Sequence, residues 1–337
     1  MSTRPQHVPF PLSTASQVLE RLQAAGGAYL SGEAISQGMG LSRAAIWKQV
    51  RSLREQGCVV EACRHRGYRL IGTPDIPTAD AVAPSLRTQC LGHPLLFFRE
   101  IDSTNRQLLA EAETGAAEGL VVISDRQSAG RGRMGRLWFS PRGVNLYFSI
   151  LLRPPVGLSQ ISTLPLAVGC ALMRAIARIA PGLPVRLKWP NDLFVGERKL
   201  GGVLCEMAAE TDRVTHVGVG IGLNVNLRRR DLPASLSRKA TSLAMETRRS
   251  FSRPGTLAEI LNQLEPVYTT WCAEGLEPFL PEIAAADLLM GRHVRIEQTG
   301  RTVEGAAGGV QADGTLLLRL PDGARTSVCS GDAHLVP

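Results

Sequence analysis

The chain has 337 residues, 44% of them hydrophobic and 20% charged, which is ordinary for a globular protein with room for two or three cored domains. Its formal net charge of +8 and pI near 9.4 favour polyanionic partners, a nucleic acid, a nucleotide or both. The seven cysteines are odd in number, scattered and without a CxxC pair; this excludes a disulfide framework or a zinc site and points to reduced thiols in a cytoplasmic protein.

The stretch from Met1 to His7 has no apolar core, so no secretory signal is expected. Gln17 to Leu22 predicts a first helix with Val18, Leu19 and Leu22 on one face. Ser31 is a candidate N-cap, Gly38-Met39-Gly40 a tight turn, and Ser42 the cap of a helix running to Arg54. On that helix Ile46, Val50 and Leu53 make the buried stripe, while Arg43, Trp47, Lys48, Arg51 and Arg54 make a basic face. The alternation over Val59–Glu61 and Gly67–Leu70 predicts a hairpin with Arg64, His65 and Arg66 at its tip. Two helices across a glycine turn, followed by a basic hairpin, form a winged helix-turn-helix that binds DNA. Ser42, Arg43 and Trp47, near the helix start, are candidates for base edges; Lys48, Arg51, Arg64 and Arg66 suit phosphates. Gly72 to Pro77 reads as a linker.

From Thr78 onward strands and helices alternate. Leu95–Phe98 is a buried strand that delivers Asp102-Ser103-Thr104-Asn105 to a helix start. Those residue types are ordinary caps, and together they also make a polar cup for a neutral hydrogen-bonding ligand. The strand Leu120–Ser124 leads into Gln127 and then into Gly130-Arg131-Gly132-Arg133-Met134-Gly135-Arg136-Leu137-Trp138. Glycines let a backbone approach a ligand, and arginine forks match phosphate and carboxylate oxygens. Trp138 and Phe139 offer an apolar face to a ring. This predicts a loop that closes over a small anionic ligand carrying a flat ring. No Asp or Glu occurs from Gln127 through Asn191, whereas nine arginines and lysines do, so the region focuses a positive potential. The embedded GxGxxG is not a dinucleotide fingerprint, because it opens no helix and no acidic residue follows until Asp192.

The apolar segment Ile161 to Ile176 is interrupted by Pro165 and Arg174, is too short to span a bilayer, and reads as a buried helix. Lys188 ends a strand before Pro190-Asn191-Asp192, where its ammonium can stabilise charge in a site. Lys199 to Glu206 and Val217 to Asn226 are glycine-spaced strands, which suggests close approach by a backbone or ligand. Leu257 to Trp271 predicts an amphipathic helix. After Gly291, short alternating runs separated by Ala312-Asp313-Gly314 and Pro321-Asp322-Gly323 predict a small SH3-like β-barrel.

In this order, Ser103-Thr104-Asn105, Gln127 with Gly130–Arg133, Lys188–Asp192, Lys199–Gly202 and Gly220–Asn226 resemble the biotin–protein ligases. With the winged helix and the terminal β domain, the chain is similar to the bifunctional ligase and biotin-operon repressor type. The resemblance implies an α+β multidomain fold: a winged helix-turn-helix (1–73), a central α/β mixed-sheet ligase domain (74–284) and an SH3-like domain (285–337). It also implies that biotin and Mg-ATP form biotinyl-5′-adenylate, from which a lysine of biotin carboxyl carrier protein of acetyl-CoA carboxylase takes the biotin. Ser103, Thr104, Asn105, Gln127, Arg131, Gly132, Arg133 and Lys188 are then the expected biotin residues. Gly130, Arg131, Gly132, Arg133, Arg136, Trp138, Lys199 and Asn224 are the expected ATP and adenylate residues, with Lys188, Arg131 and Arg133 catalytic. Met134 stands where relatives often carry another polar or basic residue, which puts one phosphate contact in question. The resemblance further implies an adenylate-bound homodimer on operator DNA, and no membrane. A ligand-sensing repressor without catalysis, and a lipoate or octanoate ligase, are the alternatives.

Overall fold

The computed structural model describes residues 14–336 apart from 38, 56, 211, 212 and 299. The N-terminal stretch read for a signal, and Gly38 of the predicted turn, lie outside the described residues. The first module comprises α1 (Thr14–Ala24), α2 (Gly32–Ser36), α3 (Arg43–Glu55) and the hairpin β1 (Val59–Cys63) with β2 (Gly67–Gly72). Ser31 Oγ accepts from the Ala34 amide at 3.0 Å and Ser42 Oγ from the Ala45 amide at 3.2 Å, so both predicted caps satisfy first-turn donors. The stripes of Val18, Leu19 and Leu22 on α1 and Ile46, Val50 and Leu53 on α3 close on Ile35 as one core. Gly67 adopts φ +98, and a Cβ there would lie 1.9 Å from the Leu30 carbonyl oxygen; only glycine fits this turn of the wing. Arg54 is exposed, as expected of the basic face, and it also donates from Nε and Nη2 to the Val60 carbonyl at 2.9 and 2.6 Å. This contact fastens α3 to the wing.

The predicted linker has no regular structure, yet it is not a free tether. Asp75 within it accepts from the backbone and side chain of Arg253 and, at 3.2 Å, from Asn226 Nδ2.

The central elements are α4 (Ala79–Val82), β3 (Leu95–Phe98), α5 (Thr104–Glu113), β4 (Val121–Ser124), β5 (Leu146–Leu152), α6 (Leu158–Ile161), α7 (Leu164–Ile179), β6 (Val185–Lys188), β7 (Asp192–Val195), β8 (Arg198–Glu210), β9 (Arg213–Leu223), α8 (Leu243–Thr247), α9 (Arg253–Glu274) and α10 (Leu280–Ala286). Seven strands form one sheet in the order β3-β4-β5-β9-β8-β7-β6, with β3 and β4 parallel and the other pairs antiparallel. Alternation assigns the two faces. Val121, Ile123, Phe148, Ile150, Val219 and Ile221 join the main core with α7 and α9, while Val122 and Leu151 pack with Leu108 of α5 on the other side. On α9, Leu257, Leu261, Leu264 and Trp271 are buried at helical spacing, as the amphipathic pattern predicts.

The apolar segment departs from expectation in length. The helical run Leu158–Ile179 is 22 residues, long and apolar enough to cross a membrane by length and composition. Pro165 does not break it, since proline in the first turn of α7 removes a donor that has no helical partner anyway. Its most apolar 18-residue window is 72% buried within the protein, packed against α9 as a core helix.

The last strands, β10 (His293–Gln298), β11 (Arg301–Val310), β12 (Leu316–Arg319), β13 (Arg325–Val328) and β14 (Asp332–Leu335), form a five-stranded antiparallel sheet in the order β13-β12-β11-β10-β14. Both Asp-Gly turns form as predicted, with Asp313 accepting from Thr315 N and Asp322 from Ala324 N at 2.9 Å each. Val294, Ile296, Leu316 and Leu318 of this sheet belong to the central core. The buried Trp189 also donates from Nε1 to the Gly314 carbonyl at 2.9 Å. The small sheet is thereby held against the strand end that carries Lys188.

Candidate active site

The site is built on a strand face with no side chains. On β9, Gly218, Gly220 and Gly222 all point away from the main core, opposite Glu206, Leu204 and Gly202 of β8 and Leu151, Ser149 and Tyr147 of β5. Each glycine makes room for a neighbour. A Cβ on Gly222 would lie 2.5 Å from the Trp138 indole, and one on Gly220 would lie 2.5 Å from Asn105 Oδ1. The glycine periodicity therefore marks the floor of a pocket.

Above the floor is a cavity of about 490 Å³, a size that suits a small ligand. Of the residues predicted for biotin and nucleotide, Ser103, Thr104, Asn105, Gln127, Arg131, Gly132, Arg133, Arg136, Trp138, Lys199 and Asn224 line it. Gly130 and Lys188 do not. Gly130 is buried beneath the loop, where a Cβ would meet Ser140, Gln127 and the Trp138 carbonyl within 2.9 Å. Lys188 is outside the cavity lining, its Nζ 5.3 Å over the Phe194 ring. Burial pushes its ammonium below the ordinary lysine range, with Asp192 opposing that shift and Lys199 adding to it.

One end of the cavity is a hydrogen-bonded cup. Gln127 Oε1 accepts from Thr104 N at 2.9 Å, and its Nε2 donates to Ser140 Oγ at 3.1 Å. Thr104 Oγ1 lies 2.8 Å from Ser149 Oγ, which also touches Asn105 Oδ1. The other end is cationic. Arg131, Arg133, Arg136, Lys199 and Lys239 face Asp192 and Asp332, five positive lining residues against two negative ones, a net of three positive charges. Lys199 Nζ pairs with Asp192 Oδ1 at 2.8 Å and sits 5.2 Å over the Trp138 ring. Arg133 donates to Asn191 Oδ1 at 3.3 Å, and burial lowers its guanidinium from the usual value. The Trp138 Nε1 proton is buried and without a hydrogen-bond partner among the described residues. The indole can thus offer its face to a flat ring, and its in-plane N–H to an acceptor at its edge. Met134 is 61% exposed at φ 54, the left-handed bend of the loop, outside the cavity wall.

Sequence reasoning missed several contributors. Asp332 and His334 reach the cavity from β14, and Arg136 forms an ion pair with Asp332. An acid in a terminal strand carries no local sign that it faces a loop two hundred residues earlier. Ser149 carries no local sign of a site, and Glu206 ends a strand read only for its glycines. Asn224 lines the cavity but is also internally satisfied, donating to the Thr241 carbonyl at 2.9 Å and accepting from Asn145 Nδ2 at 3.1 Å.

A second candidate surface lies on the N-terminal module. Ser42, Arg43, Trp47, Lys48, Arg51, Arg64 and Arg66 are all exposed. Arg51 stacks 5.9 Å from the Trp47 centroid, and the Tyr29 ring carries Arg66 at 4.2 Å and Arg69 at 4.8 Å. Tyr29 and Arg69 were not predicted; they order the basic wing by stacking guanidinium groups on a ring.

Residues 14–69 match the family described as HTH domain, residues 97–224 the Biotin/lipoate A/B protein ligase family, and residues 289–336 the Biotin protein ligase C terminal domain. The chain is 36% identical over 318 residues to the bifunctional ligase/repressor BirA of Bacillus spizizenii, covering 94% of this chain and 97% of that protein. It is 34% identical over 264 residues to the biotin–[acetyl-CoA-carboxylase] ligase of Mycobacterium tuberculosis, covering 74% and 94%. Biotin protein ligase from Aquifex aeolicus, solved in complex with biotin and ATP, superposes with a TM-score of 0.63 at 32% identity over 72% of this chain and 98% of that one.

Proposed function

The chain belongs to the biotin protein ligase family in its bifunctional ligase and repressor form, and we propose that it biotinylates a carrier protein through an adenylate and represses transcription as the adenylate-bound dimer. Biotin and ATP, with Mg²⁺ entering on the nucleotide, are the substrates. A biotin carboxylate oxygen attacks the α-phosphorus and pyrophosphate leaves. The ε-amine of a lysine on biotin carboxyl carrier protein of acetyl-CoA carboxylase then attacks the acyl carbon; AMP leaves and the amine proton is lost. No covalent enzyme intermediate is needed, so the protein's work is to position two anions and neutralise developing charge.

Ser103, Thr104, Asn105 and Gln127 hold the neutral biotin head. Arg131, Gly132, Arg133 and Arg136 close over the carboxylate and phosphates, and Trp138 with Lys199 takes the adenine. Lys188, partly desolvated and with Asp192 and Lys199 as charge neighbours, supplies its ammonium to the carboxylate and α-phosphate in the transition state. The reader of DNA and the ligase divide at 73/74, and the small β domain starts after α10, because the expected 284/285 boundary would cut that helix (Leu280–Ala286). Ligand-ordered loops favour pairing of central sheets, which places two winged helices on a palindromic operator. The cytoplasm supplies ATP, carrier and operator together.

The observation that carries the reading is the single cavity with a neutral hydrogen-bonding cup at one end and a net positive, tryptophan-lined pocket at the other. Calorimetric titration of biotin with and without Mg-ATP, followed by mass analysis of an added acceptor domain, tests it. Tight binding and a biotin-sized gain on the acceptor are expected. Binding without transfer would favour a sensor, and lipoate binding in place of biotin would overturn the substrate.

A further inference from the structure

Glu206 stands on β8 on the same face as Gly202 and Leu204, which line the cavity. Its Oε2 accepts from Asn105 Nδ2 at 2.7 Å, and that amide nitrogen also lies 3.4 Å from the Leu204 carbonyl oxygen. Both neighbours only accept, so the Asn105 amide is fixed with its NH₂ toward β8 and its oxygen toward β5. An amide oxygen also only accepts. The Ser149 hydroxyl in contact with it therefore directs its one proton there. Thr104 Oγ1, 2.8 Å from Ser149 Oγ, must in turn donate to Ser149. No proton remains for Gln127 Oε1, 3.2 Å from Thr104 Oγ1. That oxygen takes the Thr104 backbone N–H instead, at 2.9 Å.

Ser149, Asn105 and Thr104 are 0%, 3% and 4% exposed, so bulk water offers no alternative partners, and a buried network of this kind keeps one direction. The glycine at 220 lets Asn105 lie on the strand at all, since a Cβ there would come within 2.5 Å of its Oδ1. At the cavity wall the result is two neighbouring oxygens, Thr104 Oγ1 and Gln127 Oε1, both presenting lone pairs.

We propose that Glu206 is a positioning residue that sets the donor–acceptor polarity of the cup, so that it takes the N–H group of a cyclic urea and rejects rings without one. The assignment rests on the reading of biotin as the ligand. A dithiolane ring has no N–H and leaves both oxygens desolvated and unpaired, which is how a polar pocket discriminates most strongly. Glu206 does this through Asn105, Ser149 and Thr104; it need not touch the ligand.

The test is a mutant cycle on the full chain, read by calorimetric biotin binding and by adenylation kinetics. Glu206→Gln keeps the shape but offers a donor as well as an acceptor, allowing Asn105 to flip. The variant should weaken biotin about tenfold, the scale of one lost hydrogen bond, and raise KM for biotin while kcat and KM for ATP stay within about twofold. In a Ser149→Ala background the chain is already cut, so Glu206→Gln should then change biotin binding by less than about twofold. An equal loss in both backgrounds, or no loss in either, overturns the assignment. A wild-type chain that fails to bind biotin overturns the ligand reading itself.

Discussion

Arg253 and Asp75 join the N-terminal module to the ligase core: the Arg253 Nε lies 3.1 Å from Asp75 Oδ2, in a side chain only 2% exposed. The same guanidinium reaches Asp125 Oδ1 at 2.7 Å, two residues before Gln127 of the cup. A cation that deep is tolerated because two carboxylates and the carbonyls of Asp75 and Asn145 satisfy it. Removing it leaves Asp125, among the described residues, with only the longer Arg142 contact at 3.9 Å. Arg253→Leu should cost about 3–5 kcal/mol of unfolding free energy, the usual result of breaking a buried pair. Asp75→Asn should cost about 1 kcal/mol and make residues 72–77 more sensitive to protease. Urea denaturation and limited proteolysis check both, and unchanged midpoints would remove the clamp from the fold's support.

Gly222→Ala tests the floor of the cavity. The new Cβ would lie 2.5 to 2.8 Å from the Trp138 ring, and the strand backbone beneath cannot yield, so the indole must shift. KM for ATP should rise about tenfold or more, the cost of misplacing a stacking group, while biotin binding changes little. Steady-state pyrophosphate release measures it. A variant with an unaltered ATP dependence would show that Trp138 does not contact the nucleotide.

The glycines on alternate strand positions, the caps Ser31 and Ser42 and the loop from Gly130 to Trp138 were legible because each encodes a local demand: a missing Cβ, a first-turn donor, a close backbone approach. The cavity's second wall was not. Asp332 and His334 come from the last strand, and Arg253 meets Asp75 across 178 positions, so their sequence context is that of any polar residue near a turn. The helical position of Arg54 gave its exposed face, but not that its guanidinium would meet the Val60 carbonyl.

The Arg136–Asp332 ion pair closes the glycine–arginine loop onto β14. Asp332 is 13% exposed there, whereas Arg136 is 59% exposed, so the pair is only partly screened. Asp332→Asn should speed release of bound adenylate about three- to tenfold, with a larger effect at low salt. Stopped-flow dissociation at two ionic strengths reads this directly. Equal rates for wild type and variant at both would mean that the loop is held without the C-terminal sheet.

Lys188 is the residue on which adenylation should depend most. Lys188→Ala should lower the rate of pyrophosphate release about 10²- to 10³-fold, as loss of one preorganised charge at a transition state does, with the fold intact by circular dichroism. Burial holds its ammonium below the ordinary lysine range. The protonated form is therefore lost at a lower pH than for an exposed lysine, and the rate should fall on the alkaline side. Lys188→Arg should move that fall upward, since a guanidinium stays charged. A pH profile identical in the two proteins would assign the alkaline limb to another group.

Asp287 gives a pH dependence of the opposite origin. It is 2% exposed at the join between α10 and the C-terminal sheet, and its Oδ2 has no hydrogen-bond partner among the described residues. Burial raises its carboxyl above the ordinary aspartate range, opposed by the Leu289 and Met290 amides and by Arg186. The folded chain therefore holds this proton more tightly than the unfolded chain. With more protons bound in the folded state, stability falls as pH rises from the ordinary aspartate value through the raised one, and stays reduced at neutrality. Asp287→Asn keeps an acceptor for the Leu289 amide, which donates to Oδ1 at 2.8 Å, and removes the charge. The variant should match or exceed the wild type at pH 7 by up to about 1 kcal/mol, and that advantage should vanish toward pH 4. Urea midpoints measured from pH 4 to 8 decide it; a variant less stable than wild type by the same amount at every pH would mean that an NH₂ group in place of Oδ2, and not the loss of charge, sets the difference.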